Sequence, residues 1–259
     1  MKYGFIGCGN MGGALARALS KSTNDIMLAD FDRTKAEALA NEIGAVVTDN
    51  KTIARECGRI FLGVKPQVMS DMLYDIKDDF NANAVLISMA AGLTTDRIKG
   101  MTGDFPVIRI MPNTPVSVGQ GVVLCCQNGV SQDVLDDFVN DMRFSGKIYS
   151  VDELLIDAGC SVSGCGPAFM YTFAAAVAKG GVECGLDNAQ AIELAAATML
   201  GAASMLLESG KDPETLTDAV CSKGGSTIEG VKVLRNSDFE KIVTDCVKAA
   251  YKRNKELGK

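Results

Sequence analysis

Up to about residue 150, short runs rich in Val, Ile and Leu alternate with stretches whose apolar positions recur at helical spacing. A short apolar run suits a strand buried on both faces, and a 3.6-residue period suits a helix laid on a sheet. The alternation therefore predicts repeated strand-helix-strand units on a parallel sheet. The predicted strands are Tyr3–Ile6, Ile26–Ala29, Arg59–Val64, Ala84–Met89, Val107–Met111, Val122–Cys126 and Ile148–Val151. Between them Ala14, Leu15, Ala18 and Leu19 form one helical stripe, and Ala36, Leu39 and Ile43 form another that stops at Gly44, a residue type suited to ending helices. After Val151 the alternation ceases. Long Ala/Leu-rich helical patterns follow, with starts marked by Asp187 and Gln190, by Asp212 before Pro213, and by Ser237 and Glu240. The expected architecture is a doubly wound α/β domain on a mostly parallel sheet over residues 1–151 and an all-helical domain over residues 152–259. No Pro/Ser-rich linker separates them, so a cleft between sheet and helices is the natural ligand site.

Composition narrows the function. The chain has 259 residues and is 47% hydrophobic, enough for one large or two modest cores. Its net charge of -6, from 26 basic and 32 acidic residues, gives no cationic surface for phosphate backbones or anionic lipids, so nucleic acid and membrane are poor partners. The nine cysteines are odd in number, lack a Cys-x-x-Cys pair and lie in apolar runs such as Val123–Cys126, which suits a reducing cytoplasm. With histidine absent and no paired cysteine spacing, no metal site is expected. The N-terminus runs directly into Tyr3-Gly4-Phe5-Ile6-Gly7 without the order of a secretion signal. The longest apolar stretches, Ala168–Val182 and Ala191–Leu207, are interrupted by Lys179 and Glu193 and read as core helices rather than membrane spans.

The first strand runs into Gly7-Cys8-Gly9-Asn10-Met11-Gly12 at the head of the first helix. Each glycine has a mechanical reason: Gly7 for a tight turn, Gly9 for close approach of a pyrophosphate, Gly12 for packing of helix on strand. The amides of the helix N-terminus face the anion. This is the fingerprint of a Rossmann dinucleotide-binding domain. Asp30, at the end of the second strand, is placed to accept hydrogen bonds from the adenosine ribose hydroxyls, which inclines the choice between NADPH and NADH toward NADH. Arg33 pulls the other way, toward a 2′-phosphate, unless it and Asp32 merely cap a helix.

Further blocks carry a resemblance. Val64-Lys65-Pro66, Ser88-Met89-Ala90-Ala91-Gly92, Met111-Pro112-Asn113-Thr114-Pro115, Ser163-Gly164-Cys165-Gly166-Pro167-Ala168 and Ser222-Lys223-Gly224-Gly225-Ser226-Thr227 follow in an order that resembles the pyrroline-5-carboxylate reductase family across essentially the whole chain. The resemblance implies NAD(P)H-dependent reduction of 1-pyrroline-5-carboxylate to L-proline, the last step of proline biosynthesis. It implies that Val64, Lys65 and Pro66 pass over the dinucleotide and that Asn50 lies near its adenosine end. Ala90, Ala91 and Gly92 would flank the nicotinamide, with Met111, Pro112 and Asn113 as a floor. Ser222, Gly224, Gly225, Ser226 and Thr227 would form the substrate loop. Lys223 departs from the family, which commonly has proline there. The resemblance also implies that the helical half is a dimerisation domain, giving a homodimer that extends to a ring of dimers in some similar reductases. The small residues Ala195–Ala197 and Gly201–Ala203 suit close helix approach whether within a monomer or across a dimer.

A protonated cyclic imine is already electrophilic, so orientation is the main demand on the protein. The amides of Gly225–Thr227 and the Ser222 hydroxyl would anchor the carboxylate, and the Thr227 hydroxyl would bond the ring nitrogen as the catalytic contact. Two rival readings are a β-hydroxyacid dehydrogenase and a non-enzymatic dinucleotide sensor. Relatives of the first carry a catalytic lysine where this chain has Met170; the second leaves the 222–227 loop unexplained.

Overall fold

The structure is a computed structural model that describes residues 1–257. The first part of the chain alternates as its pattern predicts: β1 (Tyr3–Ile6), α1 (Asn10–Ser20), β2 (Ile26–Ala29), α2 (Arg33–Ile43), β3 (Val46–Val47), α3 (Asn50–Glu56), β4 (Arg59–Leu62), α4 (Pro66–Ile76), β5 (Val85–Ser88), α5 (Thr95–Thr102), β6 (Val107–Pro112), β7 (Gly121–Asn128), α6 (Gln132–Asp141) and β8 (Gly146–Ser150). The helices α7 (Ile156–Ser163), α8 (Gly166–Glu183), α9 (Asn188–Ser209), α10 (Pro213–Ala219), α11 (Ser226–Arg235) and α12 (Phe239–Leu257) follow. The chain divides into two compact units, one of Met1–Cys165 with the last turns from Ala250, the other of Gly166–Ala249.

The first unit is built on an eight-stranded sheet in the order β3-β2-β1-β4-β5-β6-β7-β8. The strands from β3 to β6 are parallel, and β7 and β8 run parallel to each other but antiparallel to β6. The order reverses at β1, which lies between β2 and β4; that is where an open α/β sheet leaves a crevice at its carboxyl edge. Helices cover both faces, so Phe5, Leu15, Leu28, Phe61, Ile87 and Phe138 are enclosed on one side and Ile60, Leu62, Leu73 and Leu86 on the other. Phe5 and Phe61 stack with ring centroids 4.2 Å apart. Beneath this core, buried Arg59 bonds the Tyr3 hydroxyl, the Val134 carbonyl and the Asp141 carboxylate.

Most later strands shift by one or two residues at their ends, the seventh to Gly121–Asn128 and the eighth to Gly146–Ser150, and two further shifts have a local cause. The strand expected over 59–64 stops at Leu62, because Gly63 turns the chain beside Gly7. The last helix begins at Phe239; Ser237 accepts the Phe239 amide at 3.2 Å, so its hydroxyl holds the turn before the helix. Gly44 does end α2 in left-handed conformation, and Asp187 and Asp212 cap α9 and α10 through their carboxylates.

In the second unit α8 and α9 pack through small residues, burying Ala178, Ala191 and Ala195, and Phe173 meets Phe239 at 6.1 Å. The expectation that Ala168–Val182 and Ala191–Leu207 are core helices fails within one chain. Met170, Tyr171, Ile192, Leu194, Leu200, Met205 and Leu207 are exposed, because a seam of alanines buries only one stripe of helices that are apolar all round. By length and composition alone residues 153–183 and Asn188–Ser209 are apolar enough to cross a membrane.

Candidate functional site

At the carboxyl end of β1, Gly7 takes a φ of 105°, and a Cβ there would lie 2.6 Å from the Gly63 carbonyl. Only glycine allows this approach between the chain leaving β1 and the chain leaving β4. A Cβ on Gly12 would collide with the Gly7 carbonyl oxygen, whereas a Cβ on Gly9 would meet no atom within 4 Å. Gly7 and Gly12 are thus required by the protein's own packing, and Gly9 leaves space. The first intrahelical bond of α1 runs from the Gly13 amide to the Gly9 carbonyl at 2.7 Å, and no side chain caps the helix. The amides of Asn10, Met11 and Gly12 are left to an anion. These are features that a dinucleotide pyrophosphate fits.

Asp30 follows β2 and stitches this turn to the next. Its Oδ2 accepts the Cys8 amide at 2.6 Å and its Oδ1 accepts the Asp32 amide at 2.8 Å. The carboxylate remains half-exposed, and each oxygen retains a lone pair for a further donor. The Cys8 amide is therefore engaged within the protein rather than offered to phosphate. The Cys8 thiol is buried, and that burial, with Asp30 nearby, pushes its pKa up to about 12.

A cavity of about 1050 Å³ opens here, and it brings together the predicted residues Gly7, Gly9, Asp30, Asn50, Val64 and Lys65. Lys65 is the N-cap residue of α4 and Pro66 its first residue, fitting a ring with no amide hydrogen to give. The charged residues around the cavity are Arg33, Lys35, Lys51 and Lys65 against Asp30, Asp32, Asp49, Asp71 and Asp75. Arg33 is turned to Glu37 at 2.8 Å, Lys35 lies 3.6 Å from Asp32 and Lys51 3.7 Å from Asp79. Sequence reasoning missed Phe31, Val47, Val68 and Met72 in the lining. The one signal for Phe31 was its place beside Asp30.

After β5, Ala90 is buried while Ala91 and Gly92, the latter at φ 78°, line a small cavity of about 10 Å³ with Met111, Asp157, Cys160 and Asn254. A polar network that the sequence did not announce holds this edge. Glu153 accepts the Thr95 amide at 2.8 Å, the Thr95 hydroxyl at 2.7 Å and Arg109 at 3.1 Å. Asp157 faces Arg109 at 3.7 Å and Lys255 at 3.6 Å, and its carbonyl accepts the Asn254 amide at 3.2 Å. Asn113 is a structural linchpin rather than a free contact: buried, it donates to the Ser163 carbonyl at 3.0 Å and accepts the Val122 amide at 2.8 Å.

The predicted substrate loop lies in the second unit, between α10 and α11. Gly224 is left-handed at φ 75°, and extended Gly225 is the N-cap of α11. The Gly225 amide closes a turn onto the Ser222 carbonyl at 3.0 Å, so it is not one of the free donors. A Cβ at Gly225 would lie 2.5 Å from the Ser222 hydroxyl oxygen, so a side chain there would turn that hydroxyl away. Ser226 and Thr227 open α11, exposed and with no side chain capping the helix, so their amides and hydroxyls are presented together.

Comparison with known proteins bears on this arrangement. Residues 153–257 match the family model described as pyrroline-5-carboxylate reductase dimerisation, and residues 2–92 match one described as NADP oxidoreductase, coenzyme F420-dependent. A pyrroline-5-carboxylate reductase of Escherichia coli is 35% identical, with 100% of this chain and 98% of that protein covered. Among solved structures, a pyrroline-5-carboxylate reductase from Coxiella burnetii superposes with a TM-score of 0.93 at 30% identity, over 100% of this chain and 98% of that one. A Plasmodium falciparum pyrroline carboxylate reductase with NADP bound gives a TM-score of 0.86 at 28% identity, over 100% of this chain and 98% of that one. The chain belongs to the pyrroline-5-carboxylate reductase family.

Proposed function

We propose that the chain reduces 1-pyrroline-5-carboxylate to L-proline with a reduced nicotinamide dinucleotide. The observation that carries this reading is the coincidence, in one chain matched end to end by such reductases, of a glycine cradle with open space at Gly9. When bound, the dinucleotide supplies the hydride. The protein's own part is to bind and orient. The amides of Asn10, Met11 and Gly12 hold the pyrophosphate, Asp30 the adenosine ribose, Asn50 and the Val64–Pro66 turn the adenosine side, and Ala90–Gly92 give a small-residue bed for the ring. The Ser222 hydroxyl and the Ser226 and Thr227 amides hold the substrate carboxylate, and the Thr227 hydroxyl bonds the ring nitrogen, fixing which face of the C=N bond is presented.

NADH is the proposed reductant in preference to NADPH. Support comes from the Asp30 carboxylate and from a lining in which acids outnumber cations, both unfavourable to an added phosphate. Two copies of the chain are proposed to join through the helical unit, supported by the dimerisation match and by the exposed apolar faces of α8 and α9; a ring of dimers is a further step of the same kind. The nine free cysteines support a reducing, cytoplasmic setting. Incubating the purified protein with 1-pyrroline-5-carboxylate and either reductant tests the reading. Loss of the reductant's absorbance with stoichiometric proline supports it, and an unconsumed reductant refutes it.

A further inference from the structure

Phe31 stands fully exposed between two pinned neighbours. Asp30 on one side is bonded to the Cys8 and Asp32 amides, and Asp32 on the other caps α2 through the Thr34 amide at 3.2 Å. The backbone that carries the ring is therefore ordered, although the ring itself is in solvent. Isolated apolar residues on a surface need no explanation, but this one lines the large cavity with Val47, Val68 and Met72, next to the carboxylate proposed to face the ribose. A planar ring on a fixed loop, with aliphatic side chains lining the same space, makes a slot for a flat heteroaromatic group.

We infer that Phe31 is the platform on which the adenine of the dinucleotide stacks. The inference rests on the dinucleotide reading above. Stacking on an aromatic face needs no hydrogen-bond readout, in keeping with an apolar slot, and it places the base next to a ribose held by Asp30. Being solvent-exposed, Phe31 contributes little to folding, so substitutions report on ligand binding.

Calorimetric titration with 5′-AMP and with NADH, using the full-length protein and its Phe31→Ala and Phe31→Tyr variants, tests it. Phe31→Ala should raise both dissociation constants about tenfold, and Phe31→Tyr should stay within about twofold of the parent. In proton NMR the adenine H2 and H8 resonances of 5′-AMP should move upfield with the parent and the tyrosine variant and lose that shift with the alanine variant. Unchanged 5′-AMP affinity in Phe31→Ala, or an undiminished ring-current shift, overturns the inference. Failure of the reductase reading would show instead as absence of proline formation by the parent protein, with 5′-AMP binding unaffected.

Discussion

Phe5, Leu15, Leu28 and Phe61 in the first unit are enclosed by a single chain, whereas Ile192, Leu194, Leu200 and Leu207 on α9 in the second stand half or more exposed. The two regions are comparably rich in apolar residues; they differ in what their architecture can cover. A twisted sheet with helices on both faces closes its own core. A helix pair joined by alanines hides one stripe and leaves the rest. Fully burying such a side chain is worth about 1.5–3 kcal/mol, and these retain half or more of that, about 1–2 kcal/mol each, so a handful supply ample drive for association. The first unit closes its own core, and the second leaves apolar faces that the proposed dimer would cover.

The largest expected effect breaks the first unit at its tightest point. Gly12→Val places a side chain against the Gly7 carbonyl oxygen, so dinucleotide binding should fall by about a hundredfold on titration, equivalent to about 2.7 kcal/mol and at the upper end of overpacking costs. Next, Leu200→Asp should leave the first unit folded while converting the proposed dimer to monomer in light scattering, since a carboxylate cannot be buried unpaired at an apolar interface. A variant that remains dimeric would show that α9 is not the contact. Thr227→Ala should lower kcat about a hundredfold with dinucleotide affinity within twofold, and unchanged turnover would remove Thr227 from the chemistry.

Smaller effects sharpen the contrast. Arg59→Ala takes the cation away from the Asp141 carboxylate, which keeps the Tyr3 hydroxyl as a donor at 2.6 Å, and should cost about 2–3 kcal/mol in denaturant unfolding, below the full value for a buried pair because Asp141 is partly exposed. Removing the exposed Lys241–Asp245 pair of the second unit should cost under about 0.5 kcal/mol. The buried thiols of Cys8, Cys57 and Cys126 have pKa values pushed up by burial from 9.0 to about 12. Folding holds their protons, so this contribution is whole below pH 9 and declines as pH rises toward 12. The melting temperature should fall over that window, and exposed Cys184 and Cys246 should alkylate before the buried thiols at pH 8.

Much of this was legible from local pattern because local physics sets it. Strands buried on both faces announce themselves as apolar runs, and the Gly7, Gly9 and Gly12 spacing is a backbone requirement confined to a few residues. The two-residue β3 is too short to make a pattern, and nothing in Gly121–Asn128 says which way the strand runs against β6. The internal duties of Asp30 and Asn113 were hidden for a different reason. Cys8 lies 22 residues from Asp30 and Ser163 lies 50 from Asn113, so the fold alone brings these partners near. The exposed helical faces were misread as core because a run of apolar residues at helical spacing does not say which of them a neighbouring helix reaches.

The most direct test of the account is a crystal structure with reduced or oxidised dinucleotide and a proline analogue bound together. Pyrophosphate should lie on the amides of Asn10–Gly12, the adenosine in the cavity beside Asp30, and the analogue's carboxylate on the Ser226 and Thr227 amides. An analogue lodged away from those two amides, or a dinucleotide that bypasses Gly9, would contradict it.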